Sequence, residues 1–233
     1  MTTKKPQIHN FQAHPWHGIS PGEQAPEVVT AYIEIVPTDT VKYELDKEAG
    51  IMRLDRPQRF SSQCPTLYGF IPQTYCGELV AKRCAERISN KEIEGDKDPL
   101  DICVLTEKVI PSGALLVHAV PVGGFRMVDG NEADDKIIAV LESDLVFGDV
   151  HHVAQLPSAL VERLKHYFLT YKQIPSQAKR SVEIVEVYDS TEAQEVIQRS
   201  MKDYQRKYGQ AEEVVPQHRI RKSAAKPRSK SKG

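Results

Sequence analysis

Two acidic loops in this chain run straight into short apolar strands, and that juxtaposition restricts the fold more than any other feature. The first, Gly95-Asp96-Lys97-Asp98-Pro99-Leu100-Asp101, places three carboxylates within six residues, stiffens the backbone between them with a proline, and hands over at once to Ile102-Cys103-Val104-Leu105. The second, Met127-Val128-Asp129-Gly130-Asn131-Glu132-Ala133-Asp134-Asp135-Lys136, leads into Ile137-Ile138-Ala139-Val140. Short, partly β-branched runs bounded by turn residues read as strands. Asp101 is therefore expected at a strand entry, and the two loops are expected to meet at one barrel rim. Two like charges about 4 Å apart repel by about 1 kcal/mol in water and about 4 kcal/mol at an effective dielectric of about 20. Clustered aspartates call for a positive partner, and a hard divalent cation with oxygen ligands is the natural one.

Upstream, Thr30 to Val36 and Thr40 to Asp46 alternate, and Ile51-Met52-Arg53-Leu54 follows an Ala49-Gly50 turn. The pattern predicts a three-stranded antiparallel meander in which Glu34, Lys42 and Glu44 share a lined face. Leu115 to Val122 and Gly124 to Val128 are predicted strands around Gly123-Gly124, a pair that permits a bulge. Helices come late. Ser158 to Tyr171 carries Leu160, Val161, Leu164, Tyr167, Phe168 and Tyr171 at helical spacing, and Thr191 to Tyr208 is a second amphipathic segment. Strands first and helices after them indicate an α+β arrangement, a barrel with helices packed outside.

A chain of 233 residues that is 40% hydrophobic can bury a real core. Residues 1–27, with four prolines and little apolar periodicity, are expected to be an extended arm lying over the body. Residues 28–212 form the expected single domain, and residues 213–233 a basic tail. The net charge of -1 hides an imbalance, because the tail is almost purely basic and the body is correspondingly acidic. The tail's Lys, Arg, Ser and Pro content predicts a disordered segment with weak affinity for an acidic partner. Cys64, Cys76, Cys84 and Cys103 form no CxxC pair, and neither a signal peptide nor an apolar span of membrane length is present. A cytoplasmic location without membrane attachment is the expectation.

With Asp96-x-Asp98-Pro99-x-Asp101 in place, other segments point the same way. They are Ile33-Glu34-Ile35, Val41 to Glu48, Asp55-Arg56, Tyr68-Gly69-Phe70-Ile71, Asp129 with Asp134 and Lys136, and Tyr171-Lys172. Over roughly Glu27 to Gln173 the chain resembles the soluble family I inorganic pyrophosphatases. The resemblance implies a five-stranded OB-like closed β-barrel with several Mg²⁺ ions in a cup at its mouth. The implied reaction is hydrolysis of pyrophosphate, arriving as a magnesium complex, to two phosphates. It also implies roles. Asp96, Asp101 and Asp134 resemble direct ligands of the tightest metal, with Asp101 shared to a second ion, and Asp129 and Asp134 resemble ligands for substrate-borne metals. Glu34 and Glu44 match outer carboxylates acting through water. Asp98 is the candidate general base for a water held between metals. Lys42, Arg56, Tyr68, Lys136, Tyr171 and Lys172 resemble the phosphate-binding set, with Lys136 and Tyr171 also placed at the catalytic centre. Leaving-group protonation falls to a lysine or a metal-bound water. A homo-oligomer is implied, its size open.

Blander explanations exist for each part. The aspartate run alone fits a solvated turn, and Lys42, Arg56 and Lys136 taken singly fit surface cations. Tyr68 and Tyr171 could equally pack in the core, and His14 and His17 are expected to serve the packing of Trp16 rather than a metal. An EF-hand fails because Leu100 and Asp101 stand where an oxygen ligand and glycine belong. The rival function is an OB-like nucleic-acid-binding module without catalysis. That would need aromatic stacking platforms interleaved with cations, whereas aromatics make up 7% of this chain and the candidate face carries aspartates. Two departures from the family pattern stand out. Residues from about 74 to 94 form an insertion, expected to add one or two helical turns or an extra hairpin, and Lys97 within the signature is expected to face solvent.

Overall fold

Apolar runs and alternating segments become ten strands in the computed structural model, which describes residues 13–89, 92–174 and 182–209. In chain order they are β1 (Val29–Ile35), β2 (Val41–Leu45), β3 (Met52–Pro57), β4 (Leu67–Phe70), β5 (Glu94–Gly95), β6 (Asp101–Leu105), β7 (Leu115–Asp129), β8 (Glu132–Ala133), β9 (Lys136–Leu141) and β10 (Val182–Asp189). The helices are α1 (Glu78–Ile88), α2 (Ser158–Thr170) and α3 (Ser190–Tyr208). The α+β class holds. The predicted meander does not: β2 and β3 form a separate two-stranded sheet, while β1 pairs with β4 on one side and β7 on the other. Alternation predicts a strand and its faces but not its neighbour, and here a side chain replaces the ladder, with the Leu45 amide donating to Glu34 Oε1 at 2.7 Å.

The main sheet has eight strands. β4 pairs with β6 antiparallel, β6 with β9 parallel, and β9 with β7 antiparallel, while the short β8 and β5 and the long β10 extend the β7 side. β6 and β9 are buried on both faces, which explains their unbroken apolar sequences. Ile102, Val104, Ile137 and Ala139 pack with Val80 and Cys84 of α1 and Val196 and Ile197 of α3. Cys103, Ile138 and Val140 face the opposite way, toward Leu164 and Phe168 of α2. Each fully buried Leu, Ile or Phe contributes about 1.5–3 kcal/mol relative to exposure.

The glycine pair acts as expected. β7 is one continuous strand whose register against β9 slips between Pro121 and Gly123. Gly124 also lacks a Cβ where one would lie 2.3 Å from the Tyr188 ring, so the tyrosine covers the strand there. The insertion is larger than expected, an 11-residue helix with the short β5 after it. At about 3.6 residues per turn that is three turns rather than one or two. Gly77 gives α1 no side-chain cap of its own. Instead Asp203 of α3 accepts from the Gly77, Leu79 and Val80 amides at 2.8–3.2 Å, satisfying donors that the first turn leaves open.

The described part of the arm, from residue 13, is a succession of turns rather than extended chain. Trp16 is buried at 3% exposure, in a cluster with Tyr32, Phe70, Tyr75 and Tyr204. The basic tail, residues 213–233, lies outside the described residues. No helix among the described residues is long and apolar enough to cross a membrane.

Candidate active site

Parallel pairing places the two acidic loops together. Asp101 opens β6 and Lys136 opens β9, and the two are register partners, so the loops that precede them emerge at the same end of the sheet. Asp129 closes β7, Tyr68 lies on β4 beside β6, and Tyr171 and Lys172 follow the last turn of α2. The β2–β3 hairpin leans over this end, bringing Lys42, Glu44 and Arg56. Every candidate named from the sequence lines one cavity of about 560 Å³: the carboxylates Glu34, Glu44, Asp96, Asp98, Asp101, Asp129 and Asp134, and the donors Lys42, Arg56, Tyr68, Lys136, Tyr171 and Lys172.

Within the cavity, charge is arranged in pairs. Lys136, only 2% exposed, forms ion pairs with Asp101 and Asp134. Tyr68 donates its hydroxyl to Asp101 Oδ2 at 2.6 Å, and Lys172 Nζ donates to Asp129 Oδ2 at 2.7 Å. Lys42 lies 3.3 Å from Asp55 and 3.7 Å from Glu44. Arg56 sits 3.7 Å from Asp55, with its guanidinium carbon 5.7 Å from the Tyr171 ring centroid. Its Nη1 is buried with no hydrogen-bond partner among the described residues, while the side chain as a whole lines the cavity. The Asp98 amide donates to Asp96 Oδ1 at 2.9 Å, which tightens the signature loop, and Lys97 is exposed as expected, 3.8 Å from Glu94.

Burial strains the acids. It pushes Glu34 up to about 8, against the Leu45 amide that favours its charged form, and neighbouring Asp101 adds to the rise. Asp96 and Asp134 are both raised, first by burial; Asp134 adds its charge against Asp96, and Lys136 opposes the rise in each. For Lys136 itself burial would favour the neutral amine, but Asp101 and Asp134 outweigh it and hold the cation. Burial also raises Tyr171, so its phenol stays protonated and able to donate.

Sequence reasoning missed several members of the wall. Lys47 forms an ion pair with Asp98, and Asp55 organises Lys42 and Arg56. Both lie inside segments that carried the resemblance, so their positions were visible while their contacts were not. Arg59, Glu132, Tyr167 and Phe168 also line the cavity.

The donor set fits a hard divalent cation: its carboxylates offer oxygen ligands only, and Glu34, Asp96 and Asp134 are driven toward protonation first by burial and then by neighbouring carboxylates. As they stand, no three acidic groups among the described residues close around a single point, and Lys136 Nζ bridges Asp101 and Asp134.

Residues 31–205 match the family model for inorganic pyrophosphatase. An inorganic pyrophosphatase of Chlamydia trachomatis is 51% identical over 196 residues, covering 82% of this chain and 94% of the relative. Soluble inorganic pyrophosphatase 2 of Chlamydomonas reinhardtii is 34% identical over 197 residues, covering 84% and 91%. The crystal structure of the inorganic pyrophosphatase from Thermus thermophilus superposes with a TM-score of 0.69 at 27% identity, covering 83% of this chain and 99% of that one.

Proposed function

This chain belongs to the inorganic pyrophosphatase family and hydrolyses pyrophosphate to two phosphates, and from that premise we propose how its residues divide the work, with Mg²⁺ as the divalent cation. One observation carries the proposal: carboxylates for metal and cations for phosphate line a single cavity, joined at the Asp101–Lys136 register pair. Asp96, Asp101 and Asp134 would hold the tightest metal, Asp129 and Asp134 the metals that come with substrate, and Glu34 and Glu44 would act from outside through water. When bound, Mg²⁺ supplies charge to the phosphate oxygens and acidifies the attacking water. Asp98 is the base that takes the proton of the attacking water. It suits the task because its side chain is 44% exposed and reachable, with Lys47 paired to it at the rim.

Lys42, Arg56 and Lys172 bind phosphate oxygens, the arginine through a planar fork and the lysines as point charges. Tyr68 and Tyr171 donate without adding charge. Lys136, fixed between two aspartates, meets the charge that develops as the bridging oxygen leaves with its electron pair. Asp98→Asn is expected to lower turnover by about a hundredfold, the lower end of what general-base catalysis contributes, in a phosphate-release assay run with and without Mg²⁺. A variant with parent turnover would remove Asp98 from the role, and a parent chain that released phosphate equally well without Mg²⁺ would remove the metal.

Metal binding must also release protons. Glu34, at about 8, is mostly protonated at pH 7 in the metal-free protein, and Asp96 and Asp134 are raised in the same direction. A carboxyl whose folded value lies above its unfolded value contributes stability that is present at low pH and lost as pH rises through the folded value. The metal-free melting temperature is therefore expected to fall between about pH 5 and 8, with Mg²⁺ reversing the fall while apparent Mg²⁺ affinity rises. Titration calorimetry in buffers of different ionisation heat measures the released protons, and zero release at pH 7 would contradict it.

The ring of pairings β1–β4–β6–β9–β7–β1 supports a closed OB-like barrel at the centre of the larger sheet. We place the catalytic domain at 28–212, between the arm at 1–27 and the basic tail at 213–233, and expect a cytoplasmic homo-oligomer. A nucleic-acid-binding module is the poorer reading, because the cavity offers carboxylates where a phosphate backbone would need cations throughout.

A further inference from the structure

The ion pair between Lys47 and the proposed base Asp98 is half exposed, with side chains 36% and 44% accessible. Exposed pairs contribute about 0–1 kcal/mol and do not hold their own geometry. What fixes this one must be the two backbones that carry it, and both are held by the same short stretch of the arm. On one side, His14 Nε2 donates to the Lys47 carbonyl at 3.2 Å. On the other, Trp16 Nε1 donates to the Thr74 carbonyl at 2.8 Å and the Gln73 amide donates to the Trp16 carbonyl at 2.9 Å. That ledge is sewn to the signature loop: the Cys76 amide donates to the Asp98 carbonyl at 2.8 Å, and the Leu100 amide donates to Thr74 Oγ1 at 2.9 Å.

The imidazole is fixed in one tautomer by its surroundings. Its Nδ1 accepts from the Trp16 and His17 amides at 3.2 and 3.4 Å, which leaves Nε2 as the donor that the Lys47 carbonyl requires. The hairpin turn also makes room for the ring. Gly50 has a φ of +69°, and a Cβ there would lie 2.6 Å from His14 Cδ2. Burial favours the neutral ring, in keeping with one nitrogen accepting and the other donating.

From this geometry we propose that His14 is a positioning residue for catalysis: by bridging the arm to the Lys47 backbone, it sets where the Lys47 ammonium meets Asp98. The inference rests on Asp98 being the general base. A misplacement near 1 Å at a reacting group costs up to about a hundredfold in rate. Loss of the bridge is therefore expected to lower kcat by roughly tenfold while KM for magnesium pyrophosphate stays within about twofold, since Lys47 is outside the phosphate-binding set.

Two conservative variants separate positioning from simple support of the arm. His14→Gln can present an amide donor where Nε2 stood, and His14→Asn can present an acceptor where Nδ1 stood. Positioning predicts that Gln recovers most of the kcat lost in His14→Ala and that Asn does not; a purely structural cap predicts the reverse order. The double-mutant cycle with Lys47→Met is the second measurement: once the ammonium is gone, His14→Ala should cost little further activity. Melting curves for each variant identify any loss due to unfolding. Parent-like kcat in folded His14→Ala, full additivity with Lys47→Met, or Asn outperforming Gln would each overturn the inference. If Asp98→Asn kept parent turnover, the base assignment itself would fail, which is a separate outcome read in the same assay.

Discussion

Asp101→Asn is expected to lower Mg²⁺-dependent phosphate release by on the order of a thousandfold, at the upper end of what one removed electrostatic group costs in an active site. The carboxylate accepts from the Tyr68 hydroxyl and the buried Lys136 ammonium, and we assign it to two metals. An amide of the same shape removes one charge, and with its oxygen where Oδ2 accepts from both Tyr68 and Lys136 it leaves a donor in place of the other carboxylate oxygen. The register against Lys136 stays, because backbone pairs make it. The loss should therefore appear in kcat and in Mg²⁺ affinity while the fold melts near the parent temperature. Raising Mg²⁺ should recover only part of it. Retention of even a tenth of parent turnover at saturating Mg²⁺ would show that Asp101 is not a shared ligand.

The largest effect on stability is expected far from that cavity, at Arg126. This side chain is 1% exposed, lies 3.5 Å from Asp135 and 3.0 Å from Glu186, pairs also with Glu192, and sits 5.1 Å from the Tyr188 ring. Glu186 and Glu192 have second partners in Arg87 and Arg83, but among the described residues Asp135 pairs with Arg126 and the Tyr188 hydroxyl alone, and its Oδ1 has no hydrogen bond. Removing one partner of a buried ion pair costs about 3–5 kcal/mol. At about 2–4 °C per kcal/mol for a domain of this size, Arg126→Met should melt on the order of 10 °C lower. Burial already pushes Asp135 up to about 7, with Arg126 opposing. Without the arginine its folded value rises further above the unfolded one, so the deficit should be smaller near pH 5 and grow toward pH 8. A pH-independent deficit would mean that lost packing, not the stranded carboxylate, is the cause.

How legible was this molecule from its sequence? The site was legible because its chemistry is concentrated in loops whose residue types have few other uses, and because strand entry at Asp101 and Lys136 follows from the apolar runs behind them. The partnering of strands was not. Nothing in the alternation of Thr30 to Val36 says that β1 joins β4 and β7 instead of β2, since that choice depends on hydrogen bonds between segments distant in sequence. The helix α1 was obscured for a related reason: its opening amides are capped by Asp203, 123–126 residues away. β10 is a different case. Its Val182 to Tyr188 is rich in β-branched residues, a strand signal that lies between two helices where the order of the earlier segments points to helices alone. Arg126 looked like one more cation, and only the packing of α1, α3 and β10 around it makes it a buried hub.

The parallel pairing of β6 with β9 has a consequence for how such an enzyme can change. A catalytic distance held across a backbone ladder does not depend on the length of the chain leading up to it. Here the 74–94 segment adds a three-turn helix just ahead of the signature loop, and Asp101 still stands opposite Lys136. The ladder thus separates two kinds of variation. Growth before a strand entry is absorbed at the periphery, where new surfaces and partners can be tried, while a single-residue slip inside β6 or β9 would turn every side chain to the opposite face and dismantle the site at once.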